Sequence, residues 1–171
     1  MNEHPTTRDS IFGLIEENPG IHFREIQRRS GLAVGQVEYH LYQLEKDERI
    51  VSREDGKVKR YFCISSDSFS ERQLLFYLRS NNSREILQKL ARADTLPLSN
   101  LMRVRKSKVE KRKQVLKDLA SDRIIEIFEE EGTSFVKIRE LTRLLDAARK
   151  YRESFIETLS ENFLSLIDED E

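Results

Sequence analysis

The stretch "GIHFREIQRRSGLAVGQVEYHLYQLEKDERIV", which runs from Gly20 to Val51, decides the fold. Three aliphatic residues in it recur at helical spacing and predict a helix from Val34 to Glu48 with one buried face, namely Val37, Leu41 and Leu44. The opposite face carries tyrosines and glutamines, although the exposed face of a surface helix is normally charged. Ser30-Gly31-Leu32 is typical of a turn and separates this helix from a shorter one over about Arg24–Arg29.

The residues on either side of this stretch complete a small domain. Upstream, a helix is predicted from Thr6 to Asn18, because Pro19-Gly20 follows it and four apolar residues share one face, namely Ile11, Phe12, Leu14 and Ile15. Downstream, the strand-like runs 50–53 and 58–62 flank Asp55-Gly56, a dipeptide that favours a tight hairpin. The predicted order is therefore three helices followed by a hairpin.

This order is the plan of a winged helix-turn-helix domain. Residues 8–64 resemble the winged-helix modules of archaeal-type transcriptional regulators in the ArsR/MarR superfamily. The shared features are the opening "GIHFREI", the turn "SGL", the pattern "QVxxHLxxL" and a basic hairpin. The resemblance implies sequence-specific binding of double-stranded DNA. Metal sensors of the ArsR type use clusters of cysteine, whereas Cys63 is the one cysteine of this chain, so no metal is expected.

The same plan recurs less regularly in the rest of the chain. After a linking helix predicted over Ser70–Ser80, residues 83–138 are expected to form a second, degenerate winged helix whose third helix covers Lys106–Ala120. Aligning the two copies pairs three apolar positions of the first with three of the second, namely Leu41, Leu44 and Ile50 with Leu116, Leu119 and Ile125. Arg112 departs from the pattern, because it falls where Val37 lies in the first copy.

These patterns predict three segments and a mainly α fold with small β-hairpin wings. Residues 1–68 would form an N-terminal winged-helix DNA-binding domain, residues 69–138 a linker helix and second winged-helix domain, and residues 139–171 a C-terminal helix with an acidic tail. The architecture is thus tandem winged helix-turn-helix domains plus a long C-terminal helix. Apolar residues recur along that helix at steps of three and four and predict a homodimer interface, at Leu141, Leu145, Ala148, Phe155, Leu159, Phe163 and Leu166.

Composition argues against several other classes of protein. Charged residues make up 36% of the chain and apolar residues 37%, and the 6 glycines and 3 prolines leave little room for an all-β fold. The three histidines have no carboxylate at triad or metal-ligand spacing, and no glycine-rich phosphate loop occurs, so neither catalysis nor a cofactor is expected. The polar start and the lack of a long apolar run predict a cytoplasmic, nucleoid-associated protein that does not enter a membrane.

The helix-turn-helix supplies the first set of candidate DNA contacts. Glutamine can bond adenine through both ends of its amide, and tyrosine or histidine can reach phosphate or sugar. The candidates lie on the outward side of the third helix and at the end of the second, namely Gly35, Gln36, Tyr39, His40 and Gln43 with Arg28 and Arg29. The alternative is that Tyr39 and Tyr42 pack against the wing or a second subunit.

Two cationic segments supply further candidates. The hairpin carries Arg53, Lys57, Lys59 and Arg60, which could reach flanking phosphates or could merely protect a sheet edge. The net charge is −1 overall but −2, +5 and −4 in the three predicted segments, so the middle segment is basic. Its cations are concentrated in "RVRKSKVEKRK", with DNA-contact candidates at Arg105, Lys106, Lys108, Lys111, Arg112 and Lys113. Phosphate could neutralise them, but so could the acidic "EIFEEEG" or the tail Asp168–Glu171.

Two hypotheses about function follow. In the first, the protein is a sequence-specific double-stranded DNA-binding transcriptional regulator that acts as a dimer and catalyses no reaction. In the alternative, it is a tandem winged-helix adaptor that mediates protein–protein contacts in a transcription or replication assembly. Chromatography on heparin discriminates between them, because a DNA binder is retained with a steep dependence on salt.

Overall fold

The computed structural model describes residues 6–64 and 69–151. These residues fall into two compact units, one extending to Phe76 and one formed by Tyr77–Lys150. Both units are mainly helical and each contains a small antiparallel sheet. None of the described helices is long and apolar enough to cross a membrane.

The first unit consists of three helices and a three-stranded sheet. In chain order these are α1 (Thr7–Glu17), β1 (Ile21–His22), α2 (Phe23–Ser30), α3 (Val34–Lys46), β2 (Ile50–Asp55) and β3 (Val58–Cys63). β3 lies in the middle of the sheet and pairs antiparallel with both β1 and β2. The three helices and the hairpin predicted from the sequence are present, and their bounds differ from the predicted ones by at most two residues.

Local capping explains where these elements begin and end. The Oγ1 atom of Thr6 accepts a hydrogen bond from the N–H of Asp9 and starts α1. The Nδ1 atom of His22 accepts from the N–H of Glu25 at 3.1 Å and starts α2, so this histidine has a structural role. Gly31, with a φ of 67°, ends α2 in the left-handed conformation.

Apolar side chains from all elements of this unit form one core. The three aliphatic residues predicted to face inward from α3 are almost fully buried, at 0%, 3% and 0% exposure for Val37, Leu41 and Leu44. They pack in one cluster with residues of α1, α2 and the sheet, namely Ile11, Ile15, Ile21, Ile26, Ile50, Tyr61 and Cys63. This packing holds α3 in a single orientation and determines which of its side chains face outward.

A further helix, α4 (Phe69–Arg79), precedes the remaining elements, and the boundary between the two units falls within it. The second unit continues with α5 (Asn81–Ala93), β4 (Thr95–Pro97), α6 (Leu98–Leu101), a 3-10 helix (Lys106–Lys108), α7 (Val109–Ser121), β5 (Ile125–Glu130), β6 (Thr133–Ile138) and α8 (Leu141–Lys150). Ser83, the first residue of the predicted second winged helix, lies within α5, where its buried hydroxyl donates to the carbonyl of Tyr77 at 2.7 Å.

The two units share an element order and a numerical register. Adding 75 to the residue numbers that bound α3, β2 and β3 gives the bounds of α7, β5 and β6, and we call this constant difference the repeat offset. The second sheet has the order β4-β6-β5, which corresponds to the order β1-β3-β2 of the first. The repeat offset also relates Glu48 to Arg123, two residues with positive φ that follow α3 and α7. The second unit therefore has the same order of elements as the first, with elements of the same length from α7 onward.

The described chain covers only the first part of the predicted dimerisation helix. α8 stops at Lys150, and Phe155, Leu159, Phe163 and Leu166 lie outside the described residues. Leu141 is partly exposed, but Leu145 is 7% exposed and Ala148 is fully buried within a single copy of the chain. Leu145 and Ala148 therefore expose little surface to a second copy, and their place in a dimer interface stays a prediction.

Candidate nucleic-acid interface

α2, a short turn and α3 form a helix-turn-helix. After Gly31 the chain passes through Leu32 and Ala33 before α3 begins at Val34. The side-chain amide of Gln27 donates to the carbonyl of Leu32 at 3.2 Å, and the side chain of Leu32 packs against the core. The turn is therefore held by both a hydrogen bond and apolar contact, and it presents the N-terminal half of α3 to solvent.

The outer face of α3 exposes aromatic and amide side chains. Tyr39 is 59% exposed and Tyr42 is 61% exposed, so most of both rings is accessible to a ligand. Gly35 is exposed beside them, and a methyl group added there would meet no atom of the chain within 4 Å. Gln43 is partly exposed. Tyr39 and Tyr42 are thus not covered by the hairpin, which was one of the two alternatives that the sequence left open.

Two other candidates on α3 have structural roles as well. The Oε1 atom of Gln36 accepts from the N–H of Ala33 at 3.2 Å and so caps the start of α3, which leaves the NH₂ group of the amide for a ligand. The ring of His40 lies edge-on to that of Tyr39, with ring centroids 5.3 Å apart. The Nδ1 atom of His40 is buried and forms no hydrogen bond with any described atom, so only its other ring edge could reach DNA.

The hairpin exposes fewer cations than its sequence suggests. Lys57 is exposed in the two-residue turn Gly56-Lys57, and it forms no ion pair with any residue of the described ranges. Lys59 pairs with Glu45 of α3 at 3.0 Å, and the guanidinium of Arg53 lies 4.0 Å from the centre of the Phe76 ring. Lys57 is therefore the wing residue best placed to contact a nucleic acid.

Arg60 is a correction to the predicted site. Its side chain is only 13% exposed, and its guanidinium pairs with Asp55 at 3.2 Å and donates to the carbonyl of Gly20 at 3.1 Å. It joins the hairpin to the turn before β1, and a guanidinium held in this way is not presented to phosphate. On the next strand position, burial and the carboxylates of Glu45 and Glu38 raise the pKa of Tyr61 to about 12.

The two arginines at the end of α2 differ in how much of their charge is accessible. Arg28 is 67% exposed and lies 3.8 Å from Glu25, so it remains accessible to a ligand at the surface. Arg29 pairs with the same carboxylate at 2.6 Å and also donates to the Oδ1 atom of buried Asn18. In a helix-turn-helix the first helix crosses the DNA backbone, where an exposed arginine such as Arg28 could contact phosphate.

The basic segment of the second unit contains one further correction. Five of its six candidates are exposed, at Arg105, Lys106, Lys108, Lys111 and Lys113. Arg112, in contrast, is 7% exposed and its guanidinium pairs with Glu85 of α5 at 2.8 Å. It occupies the inward position that corresponds to Val37, so the periodicity of α7 directs it into the core and away from any DNA.

The described residues show no arrangement suited to metal binding, since no group of three or more His, Cys, Asp or Glu side chains among them could hold a metal ion. Cys63 is buried, and within the described chain its thiol lies 3.9 Å from the carbonyl of Phe12. The exposed groups that the structure brings together are instead aromatic, amide and cationic.

Comparison with known proteins also indicates a helix-turn-helix in the N-terminal part of the chain. Residues 5–75 match a family described as an N-terminal HTH domain. A protein of Methanocaldococcus jannaschii that is named an uncharacterized HTH-type transcriptional regulator is 32% identical to this chain over 88 residues. The match covers 51% of this chain but only 22% of that protein, so the chain spans about a fifth of the length of this relative. The N-terminal part of the chain is a helix-turn-helix domain.

Proposed function

We propose that this protein is a transcriptional regulator that binds double-stranded DNA in a sequence-specific manner, with α3 in the major groove. The observation that carries the proposal is the outer face of α3, where Tyr39 and Tyr42 are both about three-fifths exposed on the recognition helix of a helix-turn-helix. The matches to an HTH family and to a protein named as a transcriptional regulator support it.

The chemistry of this face suits base edges and sugars. An amide such as that of Gln43 offers a donor and an acceptor, which together distinguish adenine from the other bases in the major groove. The tyrosines can contact sugar and phosphate, and Gly35 allows the helix backbone to approach closely. Lys57 at the wing tip and Arg28 on α2 would contact phosphates on either side. The direct test is selection of bound fragments from genomic DNA, which should yield a shared motif.

The finer classification belongs to the same proposal. The repeated element order and the constant repeat offset support a second winged helix, which would give the chain tandem winged helix-turn-helix domains. The motifs of residues 8–64 support membership of the ArsR/MarR superfamily in its archaeal type. A regulator of this kind would work in the cytoplasm, on the nucleoid, without a metal, a cofactor or catalysis.

Homodimerisation is also proposed, now on a smaller set of residues. Since Leu145 and Ala148 are buried in one copy, the interface would use Phe155, Leu159 and the apolar positions after them. We expect the wild-type protein to scatter light as a dimer at micromolar concentration. Replacing Phe155 and Leu159 with aspartate should produce a monomer with weaker DNA binding, because two half-sites would no longer be bound together. A wild-type protein that is monomeric at that concentration would contradict this expectation.

The glycine of α3 allows a test in which stability and binding move in opposite directions. Replacing Gly35 with alanine should stabilise the free protein by about 0.5–1 kcal/mol, because the added methyl meets no atom of the chain and alanine favours a helix. The same methyl would separate α3 from the groove and should weaken DNA binding by about 1–3 kcal/mol. Thermal unfolding and fluorescence anisotropy with a labelled duplex measure the two effects.

Gly13→Ala is the matched control. Gly13 also lies within a helix, and a Cβ added there would also meet no atom within 4 Å, but it is on α1, outside the helix-turn-helix formed by α2 and α3. This variant should gain a similar stability and keep its DNA affinity. Unchanged affinity in Gly35→Ala as well would show that α3 does not approach DNA closely at this point.

A further inference from the structure

Ion pairing is uneven along the chain. In the first unit many cations have a carboxylate partner, including Arg8, Arg29, Arg49, Lys59 and Arg60. In the second unit the same holds for Lys89, Arg112, Lys137, Arg143 and Arg149. Six cations of one short segment, in contrast, form no ion pair with any residue that the structure describes, and all are exposed: Arg103, Arg105, Lys106, Lys108, Lys111 and Lys117. We refer to these six residues as the 103–117 cluster.

This clustering costs free energy in the absence of an anion. The cluster covers the 3-10 helix before α7 and the first three turns of α7, so neighbouring charges along it lie within about a Debye length of each other at physiological salt. Glu110 is the one acidic residue between positions 103 and 117, and it pairs with Lys113, which is outside the cluster, at 2.9 Å. The positive end of the α7 dipole adds to the same field. An anionic ligand would remove this repulsion.

Comparison of α7 with α3 indicates which kind of anion fits. Under the repeat offset, Lys111 corresponds to Gln36 and Lys117 to Tyr42. The positions that carry an amide and a phenol ring in the first unit thus carry ammonium groups in the second. An ammonium is a flexible point charge that binds phosphate without distinguishing one base from another. α7 is therefore suited to the DNA backbone and α3 to the bases.

The hairpin of the second unit supports a contact made by the helix alone. Its tip exposes Glu129, Glu130 and Glu131, and Gly132 stands where the first hairpin has Lys57. Lys137, the one cation on β5 and β6, is paired with Glu126 at 3.6 Å. Phosphate would repel such a hairpin, whereas it would attract the start of α7.

We propose that the 103–117 cluster binds the phosphates of double-stranded DNA independently of base sequence, and that the second unit contacts DNA through the start of α7 without its hairpin. The inference rests on the proposed function and divides the contacts between the units. The cluster supplies a large share of the salt-dependent affinity, and the outer face of α3 supplies the discrimination between sequences.

The test compares two triple variants of the full chain that change the net charge equally. In the first, Lys106, Lys108 and Lys111 are replaced with glutamine. In the control, the paired cations Lys137, Arg143 and Arg149 of the same unit are replaced with glutamine. Affinity for a random-sequence duplex and for a fragment selected by the wild type is measured between about 50 and 200 mM salt. Circular dichroism melting confirms that each variant is folded.

The Lys106/Lys108/Lys111 variant should lose up to about 3 units of log–log salt slope, at roughly 0.9 for each phosphate contact, and should lose affinity for both duplexes equally. The control should keep its slope. An unchanged slope in the first variant, an equal loss in the control, or a loss confined to the selected fragment would each overturn the inference. Failure of the wild type to bind either duplex would instead reject the proposed function, so the two failures are distinguishable.

Discussion

Replacing Tyr39 and Gln43 with alanine is expected to lower the affinity for the selected DNA fragment by about 2–5 kcal/mol, while binding to random duplex changes little. The contact of Gln43 with a base edge would be worth roughly 1–3 kcal/mol of discrimination, and Tyr39 would add contacts with the sugars beside that base, which depend on α3 being seated on its own site. Both residues lie on the outward side of α3, opposite its buried face. Tyr39 is 59% exposed, so its removal leaves no cavity in the core. Competition titrations with the selected fragment and a scrambled duplex measure the ratio of affinities.

Gln114→Ala serves as the control for this prediction. Gln114 is the residue of α7 that corresponds to Tyr39 under the repeat offset, and its amide donates to Asp118 at 2.8 Å. Since α7 is expected to contact phosphates and not bases, this variant should retain the specificity ratio of the wild type. Equal losses of Tyr39→Ala/Gln43→Ala on both duplexes would mean that α3 positions the protein without reading sequence. The source of specificity would then have to be sought in the wing or the second unit.

Replacing Glu85 with alanine is expected to destabilise the second unit by about 2 kcal/mol. The substitution leaves the guanidinium of Arg112 without its carboxylate partner at a site where it is 7% exposed. Removing one member of a fully buried ion pair typically costs about 3–5 kcal/mol, and the half-exposed position of Glu85 reduces that figure. Chemical denaturation measures the total loss, and amide hydrogen exchange of α5 and α7 assigns it to this unit.

A second substitution should restore the lost stability. In Glu85→Ala/Arg112→Met the buried charge is absent, and the apolar side chain fills the inward position that Val37 occupies in the first unit. The Nη1 atom of Arg112 already lacks a hydrogen-bond partner among the described atoms, so little favourable hydrogen bonding is lost with it. Failure of the double variant to recover stability would show that the arginine stem, and not its charge, is what the core requires.

The same pair determines a pH dependence. Burial acts to raise the pKa of the Glu85 carboxyl, but hydrogen bonds and charge from Lys89 and Arg112 outweigh it and hold that pKa below its usual value of 4.5. A carboxyl whose pKa is lowered by folding contributes stability that is fully present above the unfolded pKa and is lost as the pH falls through the folded pKa. Wild-type stability should therefore decline below about pH 4.5 through this group, and Glu85→Ala should lack that component of the decline.

The helices and hairpins were predictable because they depend on residues close together in sequence. The spacing of Val37, Leu41 and Leu44 identified the buried face of α3. The capping and turn residues around Gly31 placed the ends of α2 and α3 within two residues of where the structure has them. The internal repeat was visible for the same reason, since aligned apolar positions of the two copies face inward in both. Exposure of Tyr39 also follows from the helical period alone, because it lies opposite the buried face.

The sequence by itself therefore determined the order of elements, the fact that this order occurs twice along the chain, and the outward face of α3. Only the tertiary structure decided which cations are exposed and accessible to DNA and which are held by other side chains. Arg60 forms an ion pair with Asp55 and a hydrogen bond to a carbonyl 40 residues away. Lys59 pairs with a carboxylate 14 residues away, and Arg112 pairs with a carboxylate 27 residues away. Burial of Leu145 and Ala148 within one copy was likewise not apparent from their spacing. Periodicity indicates which side of an element is apolar, but the partner of a charged or apolar side chain depends on which distant segments the fold brings against it.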